Sequence, residues 1–288
     1  MNVSRRKFIT TAAGSAALLS IPHVLLSCTP SAKALKDFGL QLYTLRDVMP
    51  TDPKGVLKQV SEMGYSQIES FEGDKGMFWG MTNLEFRKLM DDLGMKIVSS
   101  HTDIRKDFEK KAAEAAEIGM SYLIDPWEGP QKSIDDFKKL ADLFNEKGAI
   151  CKKNGIRFGY HNHAYSFAEL EGRIPQDVLL QNTDPELVDF EMDIYWVVTS
   201  GNDPIEWLKK YPKRWRLCHI KDREKNTPLT NTDASCVLGT GSISWKKIMK
   251  AALKEGMEYY LVEQEHYTNM SSTEAARQDA AYLKKLKF

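Results

Sequence analysis

Histidine and carboxylate side chains recur at the ends of four successive strand-like segments in the second half of the chain. They are His161 or His163, then Asp193, then His219, then Glu263. The separation between neighbours matches roughly one strand and one helix, so all four positions would meet at one end of a sheet. Imidazole and carboxylate ligands together suit Mn²⁺, Zn²⁺, Co²⁺ or Fe²⁺ better than Ca²⁺ or a thiolate site. We therefore predict one divalent metal ion held by His161, Asp193, His219 and Glu263, with His163 as the alternative to His161.

Other polar and aromatic residues follow the remaining strand-like segments and are predicted to surround this metal. Glu263 and His101 are the candidate bases for removing a proton from a substrate, and Glu69 is a third candidate. Lys221 is predicted to stabilise a developing oxyanion or to pair with a carboxylate of the metal site. The residues predicted to contact substrate are Tyr43, Asp125, Trp127, His163 and Trp196.

The elements that position these residues are short strand-like runs that alternate with amphipathic helical stretches. The runs are 38–45, 65–71, 96–102, 121–126, 156–163, 188–197, 215–221 and 259–265, and helical patterns include 53–63, 83–93, 105–118, 133–153 and 245–255. Such alternation is typical of parallel βαβ units, and eight units in about 250 residues is the size of a TIM barrel. A doubly wound open sheet is the competing architecture, but the first strand is not followed by GxGxxG. The predicted fold is α/β, a single (β/α)8 TIM barrel over 37–288.

Alternation along the strands predicts which side chains face the barrel interior. In the segment 188–197, Asp189, Glu191, Asp193 and Tyr195 share one face, and apolar residues share the other. The apolar face must pack against helices, so the acidic face lines the lumen. Active sites of TIM barrels lie at the carboxyl ends of the strands. Deeper in the lumen, Arg157 and Glu191 are predicted to form a buried ion pair.

Composition excludes several classes of protein. Of 288 residues, 42% are hydrophobic and 28% are charged, the balance of an ordinary globular domain. Lys and Arg number 40, as do Asp and Glu, so no basic excess suggests a nucleic-acid partner. Four cysteines without a CxxC pair do not make a disulfide scaffold. The stretch Gly239-Thr240-Gly241 resembles a phosphate cradle but lacks the lysine of a P-loop, which predicts a plain loop before the last unit.

The first 36 residues are predicted to address the protein to the cell envelope. Ser4-Arg5-Arg6-Lys7-Phe8-Ile9 resembles a twin-arginine export signal, and the weakly apolar run behind it is too short for a good membrane span. Leu25-Leu26-Ser27-Cys28 resembles a lipobox. We expect residues 1–27 to be a lipoprotein signal and 28–36 a tether, with a lipid on Cys28 as the only membrane contact. The mature protein would be periplasmic or otherwise exported.

The order of motifs in the body resembles the xylose-isomerase-like TIM barrels, which include sugar phosphate isomerases/epimerases, inosose dehydratases, ketose 3-epimerases and endonuclease IV. The motifs are His161-Asn162-His163, Asp193-Ile194-Tyr195-Trp196, His219-Ile220-Lys221-Asp222, Leu238-Gly239-Thr240-Gly241 and Val262-Glu263. The resemblance implies the last three ligands as Asp193, His219 and Glu263. The first slot departs from the pattern, because His161 stands where many ketose epimerases have a glutamate.

The resemblance implies a metal-dependent sugar isomerase or epimerase that acts through an enediolate on a keto-sugar. The alternative is a lyase that eliminates a β-substituent from a 3-keto-glycoside, or a dehydratase, because these reactions share one intermediate. A non-catalytic sugar-binding lipoprotein would need no metal ligands. A nuclease is disfavoured because Trp196 stands where endonuclease IV places a ligand histidine. The expected partner is a small carbohydrate, not a nucleic acid, and the resemblance also admits a homodimer.

Overall fold

The computed structural model describes residues 34–288. The predicted signal over 1–27, Cys28 and most of the tether lie outside the described residues, so these assignments stay predictions. Within 34–288, no helix is long and apolar enough to cross a bilayer.

Eight parallel strands close into a barrel, which confirms the predicted fold. In chain order, β1 to β7 span Gly39–Gln41, Gln67–Phe71, Lys96–His101, Tyr122–Asp125, Arg157–His161, Val188–Asp193 and Trp215–Ile220. A two-stranded antiparallel ribbon of β8 (Asp222–Arg223) and β9 (Ser235–Cys236) follows, and β10 (Tyr259–Val262) is the last barrel strand. Neighbouring strands pair in the order β1-β2-β3-β4-β5-β6-β7-β10, and β10 pairs with β1.

Helices connect the strands and cover the outside of the barrel. The α-helices α1 to α9 are Pro53–Met63, Asn83–Asp92, Phe108–Glu117, Ile134–Lys153, Pro175–Asn182, Ile194–Thr199, Pro204–Lys210, Trp245–Glu255 and Ser272–Lys285. The sequence encodes their ends locally. A capping box of Thr82 and Glu85 starts α2, and α8 ends at Gly256, whose φ of 98° is a conformation that favours glycine.

Most of the predicted strands end one to three residues earlier in the structure than in the sequence pattern, and two of them end four residues earlier. The segment 188–197 is a strand only to Asp193, because the Asp193 carboxylate accepts a hydrogen bond from the Trp196 backbone N–H and starts α6. Tyr195 therefore does not continue the lumen face of β6. The first segment leaves the sheet after Gln41, whose side chain accepts from the Tyr43 backbone N–H and begins a 3₁₀ turn over Leu42–Leu45.

The barrel interior holds an apolar cluster beneath the charged groups at the carboxyl ends of the strands. Val98, Tyr122, Ile124, Leu217 and Leu261 form an apolar cluster inside the barrel. The predicted pair of Arg157 with Glu191 is wrong. Arg157 binds Asp189 instead, which also accepts from the Tyr122 hydroxyl at 2.8 Å. Glu191 lies one layer higher, among histidines.

The glycine-rich stretch 239–241 is a loop, as predicted, and its amides serve an internal carboxylate. Asp222 accepts hydrogen bonds from the backbone N–H groups of Gly239 at 2.8 Å and Gly241 at 3.2 Å, and from the Trp245 indole at 3.1 Å. A Cβ atom on Gly241 would lie 2.2 Å from the Asp222 carboxylate, so only glycine fits there. The amides of this loop therefore bind Asp222 and not a ligand.

Asp279 on α9 is a second buried carboxyl that secures this loop. One oxygen accepts from the Leu238 backbone N–H at 2.8 Å, whereas the other is buried without a partner. Burial, with a smaller contribution from the charge of Asp222, raises the pKa of Asp279 to about 8.

We expect Asp279→Asn to remove a pH-dependent loss of stability. The pKa of Asp279 is raised in the folded state, so the folded state holds its proton more tightly than the unfolded chain. Wild-type stability should therefore fall as pH rises from about 4 to about 8, by at most about 1.4 kcal/mol per pH unit. Urea unfolding at pH 5, 6.5 and 8 should show the variant gaining on wild type as pH rises. Asp142→Asn, at an exposed position of α4, is the control, and a pH-independent difference for Asp279→Asn would contradict the account.

Candidate metal centre and active site

Four side chains from four strand ends converge at the carboxyl end of the barrel. His161 ends β5, Asp193 ends β6, His219 lies near the end of β7, and Glu263 follows β10. His161 Nε2 lies 3.4 Å from Asp193 Oδ2, and His219 Nδ1 lies 3.7 Å from the same oxygen and 3.2 Å from Glu263 Oε2. All four residues are buried. The structure thus brings the four predicted metal ligands together.

The His219 imidazole is held from below by Glu69. His219 Nε2 lies 2.7 Å from Glu69 Oε1, and Glu69 also accepts from the Gln41 amide at 2.7 Å and the Ser99 hydroxyl at 2.6 Å. Because Glu69 accepts these hydrogen bonds as an ionised carboxylate, the proton of its contact with His219 is on Nε2. Nδ1 faces Asp193 and Glu263, and it is the nitrogen that would bind a metal once it has lost its proton, as in the carboxylate–histidine pairs of many metal sites.

A second cluster lies beneath the first and includes His101 and Glu191. His101 Nε2 lies 2.9 Å from Glu191 Oε2 and 3.2 Å from Glu69 Oε1, and Glu191 also reaches His219 Nε2 at 3.4 Å. Glu69, His101, Glu191 and His219 are therefore close enough to be considered as a second group of metal ligands. In this lower cluster, however, His101 Nε2 and His219 Nε2 each already make a hydrogen bond with a carboxylate.

The upper cluster fits a divalent cation better than the lower one does. His161 Nε2 and His219 Nδ1 are buried nitrogen atoms without a hydrogen-bond partner, and such orphaned atoms are costly unless something binds them. Two donors at ~2.1 Å from one ion in a tetrahedral arrangement lie about 3.4 Å apart. The spacings of 3.2 to 3.7 Å in the upper cluster match that value.

Electrostatics keep three of the four upper donors in the protonation states that a metal requires. Burial would raise the pKa values of Asp193 and Glu263, but the Lys221 ammonium and neighbouring histidines hold both well below their ordinary range. Burial, assisted by the charge of His219, lowers the pKa of His161. Two carboxylates and a neutral imidazole are therefore available. Burial would also lower the pKa of His219, but Glu191 and Glu263 raise it well above its ordinary value, so metal binding must displace a proton.

Lys221 completes the charge balance beside this cluster. Its ammonium group lies 3.1 Å from Glu263 and 3.4 Å from Asp193, and it also binds Glu265. The rings of Tyr195 and Trp196 lie 5.0 and 5.1 Å from the same nitrogen. Burial would lower the pKa of Lys221, but the three carboxylates raise it well above its ordinary value. Of its two predicted roles, the structure shows the pairing.

The electrostatics of the lower cluster differ. Burial would lower the pKa of His101, but Glu69 and Glu191 raise it to about 10. Burial, followed by the charge of Glu69, raises the pKa of Glu191 to about 7. His101 is thus an imidazolium that lines the cavity described next, with its Nε2 fixed by two carboxylates.

A cavity of about 330 Å³ opens above the upper cluster, which lies at the lower end of the ~300–1,000 Å³ of small-molecule sites. Glu263, His101 and His161 lie at its base. Its lining also includes several of the residues predicted to bind substrate, namely Tyr43, Trp127 and His163. His163 Nδ1 is buried without a partner. Burial and the neighbouring His161 lower the pKa of His163 well below its usual value, which leaves a neutral imidazole here.

Three other predicted residues do not line this cavity. Asp125 is buried beside Glu128, and burial followed by the charge of Glu128 raises its pKa well above the ordinary value. Trp196 packs against His163 and Lys221 behind the lining. Glu69 has no exposed surface and contacts His219, so it positions a ligand and is not available as a base.

Sequence reasoning missed the residues that support the ligands from below. Gln41, Ser99 and Glu191 lie on the lumen faces of their strands, and that parity is visible in the sequence. Their roles depend on how far along the barrel axis each side chain lies, and parity does not predict that position. Of the two histidines predicted for the first ligand position, the geometry favours His161, which lies in the group of potential ligands, whereas His163 lies in the cavity lining outside that group.

Comparison with known proteins agrees with this architecture. A family model described as xylose isomerase-like TIM barrel matches residues 57–286. An inosose dehydratase of Clostridium perfringens is 33% identical over 140 residues, which cover 44% of this chain and 46% of that protein. The chain thus spans about half the length of the curated relatives it matches.

Solved structures resemble the chain over most of its length. A sugar phosphate isomerase/epimerase from Parabacteroides distasonis is 31% identical with a TM-score of 0.74, and the match covers 88% of this chain and 94% of that one. The IolI protein, solved with a zinc atom bound, is 15% identical with a TM-score of 0.71 and shares the fold over 85% of this chain and 95% of its own.

We expect the protein to bind one equivalent of Zn²⁺ at the upper cluster. Calorimetric titration of chelator-treated protein should give one site in wild type and no measurable binding at that site in Asp193→Asn, because a charged ligand is lost. Glu69→Gln should bind about 10- to 100-fold more weakly, since the hydrogen bond that orients His219 is weakened. Glu72→Gln changes a carboxylate of the cavity outside both clusters and should bind like wild type. Unchanged affinity in Asp193→Asn would contradict this assignment.

Proposed function

The chain belongs to the xylose isomerase-like TIM barrel family, and from that premise we propose that it is a metal-dependent enzyme that removes the proton next to the carbonyl of a keto-carbohydrate. One observation carries the proposal. The Glu263 carboxylate and the His101 ring both line the base of one cavity, next to a cluster of residues that could hold a metal ion. A proton acceptor and a proton donor thus face the same bound molecule from different strands.

His161, Asp193, His219 and Glu263 would hold the metal ion. Bound there, a dication supplies Lewis-acid polarisation of the substrate carbonyl and its neighbouring hydroxyl. Two ionised carboxylates and two imidazoles suit Zn²⁺, Mn²⁺, Co²⁺ or Fe²⁺. Glu69 and Glu191 fix His219 from below, so the ligand geometry is prepared before substrate arrives.

Glu263 is the proposed base. Its carboxylate lines the cavity, and Lys221 at 3.1 Å keeps it ionised. The same ammonium group stays within reach of the negative charge that develops as a substrate proton leaves. A positioned general base of this kind contributes typically 10²- to 10⁴-fold to the rate.

Elimination is the outcome that the arrangement favours. The proton next to the carbonyl moves to Glu263, its electron pair forms a carbon–carbon double bond, and the bond to a β-oxygen breaks while His101 gives that oxygen a proton. An epimerase needs two matched bases on opposite faces of one carbon, whereas here the first ligand position holds His161 and no second glutamate. Relatives named inosose dehydratase favour the same outcome.

Isomerisation or epimerisation is the second candidate. It shares the first proton transfer and differs only in the atom or face that is reprotonated. The resemblance over 88% of the chain to a protein named sugar phosphate isomerase/epimerase favours it.

Proton NMR in D₂O with metal-loaded protein and methyl 3-keto-β-glucopyranoside tests the proposal. We expect release of methanol, with deuterium at the carbon next to the carbonyl in those substrate molecules whose enolate is reprotonated before the β-bond breaks. Deuterium uptake without methanol would favour the isomerase or epimerase. If both signals are absent, with this compound and with a panel of free keto-sugars, the proposed enzyme is contradicted.

Two variants test the residue roles. Glu263→Gln should lose deuterium uptake by at least about 100-fold. His101→Gln should lose methanol release but keep uptake, because only the second proton transfer needs the donor. Loss of both signals with unchanged metal content would contradict the role given to His101.

We also propose that the enzyme works outside the cytoplasm as a lipoprotein, on the grounds of the motifs at 4–9 and 25–28. Expression of the full chain should give a membrane-associated form whose processing is blocked by globomycin. Cys28→Ser should leave the protein without lipid, and an unchanged membrane fraction in that variant would contradict the anchor.

A further inference from the structure

Large exposed aromatic side chains gather at the mouth of the cavity. Among the described residues, Trp127 is 56% exposed and Tyr43 is 38% exposed, and both line this cavity together with Phe71. Tyr43 follows β1 and Phe71 ends β2, whereas Trp127 follows β4, so the rings stand on two separate parts of the rim. Burying an exposed indole is favourable, so a ligand that covers the Trp127 ring would gain binding free energy from it.

These rings are fixed in place although they are exposed. The Trp127 ring meets His163 at 4.4 Å and Tyr165 at 5.0 Å between centroids, both nearly perpendicular. Tyr43 meets the edge of Phe71 at 5.2 Å, and the Arg46 guanidinium lies 4.7 Å from the Tyr43 centroid. Ordered aromatic faces lose little conformational entropy when a flat ring stacks on them.

The polar part of the lining is acidic. Glu72, Asp103, Glu263 and Glu265 line the cavity, and the described lining contains neither lysine nor arginine. Its one imidazolium, His101, is already held by Glu69 and Glu191. A phosphorylated ligand would need a basic partner, and carboxylates in its place repel it.

The basic groups near the cavity already have partners. Lys111 binds Glu72 at 2.6 Å, and Arg105 binds Glu128 through both of its terminal nitrogens. The Arg46 guanidinium donates to the Glu265 carbonyl at 2.8 Å and to the Tyr267 hydroxyl at 3.1 Å. Lys221 lies behind the lining with three carboxylates.

We infer that the substrate is an uncharged glycoside whose second ring binds at the cavity mouth between the Tyr43–Phe71 pair and Trp127. The inference rests on the proposed function in placing the sugar ring over the metal cluster. A cavity of about 330 Å³ holds that first ring, and the aromatic rim receives the group attached to it. Sugar phosphates are excluded, despite the name of the Parabacteroides distasonis neighbour.

Binding of compounds that lack a keto group tests this inference separately from turnover. We would titrate metal-loaded protein with phenyl β-glucopyranoside, methyl β-glucopyranoside and glucose 6-phosphate and follow binding by saturation-transfer NMR. The phenyl glucoside should bind more tightly than the methyl glucoside by about threefold to tenfold, with strong transfer to the phenyl protons. Glucose 6-phosphate should bind more weakly than either glucoside.

Variants at the rim identify the surface involved. Trp127→Ala should remove the advantage of the phenyl glucoside and leave the methyl glucoside within about twofold of wild type, and Trp127→Phe should restore part of it. Leu253→Ala, at an exposed apolar position on α8, is the control and should change neither affinity.

Each other outcome overturns the inference. Equal affinities for the two glucosides, an unchanged preference in Trp127→Ala, or tightest binding of glucose 6-phosphate would each contradict it. If Trp127 governs phenyl glucoside binding but no keto-sugar takes up deuterium, the proposed reaction fails and the ring-binding rim stands. If deuterium uptake occurs and Trp127 has no effect on binding, the proposed reaction stands and the ring-binding rim is contradicted.

Discussion

The His219 imidazole belongs to both buried clusters, with Nε2 in the lower cluster and Nδ1 in the upper one. Its Nε2 proton is held by Glu69 at 2.7 Å, and its Nδ1 faces Asp193 and Glu263. If that hydrogen bond were lost, the ring would lose its shortest contact from below, and the orientation of Nδ1 in the upper cluster would be less well fixed. Gln41 and Ser99 do not line the cavity, but they donate hydrogen bonds to Glu69 and so fix the carboxylate that orients the His219 ring.

Burying so many charges is tolerable only because they are paired. An isolated buried carboxylate is costly, and removing one member of a buried pair typically destabilises a protein by several kcal/mol. Lys221 alone serves Asp193, Glu263 and Glu265. His161 Nε2 and His219 Nδ1 are buried without a hydrogen-bond partner, and a dication bound between Asp193 and Glu263 would satisfy both once His219 has lost a proton. Below these layers the barrel returns to apolar packing around Leu217 and Leu261, which gives the polar layers a rigid base.

Much of this arrangement could be predicted from the sequence, because strand–helix alternation and strand parity are local properties. Parity places Asp193, His219 and Glu263 on the lumen side, and the βα repeat places them at one end. Parity does not tell how far along the barrel axis a side chain lies, because that position depends on how neighbouring strands are paired. In the pairing of β5 with β6, Gly159 lies opposite Asp189 and His161 lies opposite Glu191. Arg157, at the start of β5, therefore meets Asp189 and not Glu191. Directions beyond a strand end are also unpredictable from alternation, as the immediate turn into α6 at Trp196 shows.

The central claim is that one dication is held by His161 Nε2, Asp193, His219 Nδ1 and Glu263. A crystal structure of Zn²⁺-loaded protein, with anomalous difference density measured at the zinc edge, tests it most directly. The account predicts one strong peak at about 2.0–2.2 Å from donors of these four residues, with Glu69 still bound to His219 Nε2. A peak among Glu69, His101, Glu191 and His219 Nε2 instead, or four side chains that point to separate places around no common ion, would contradict it.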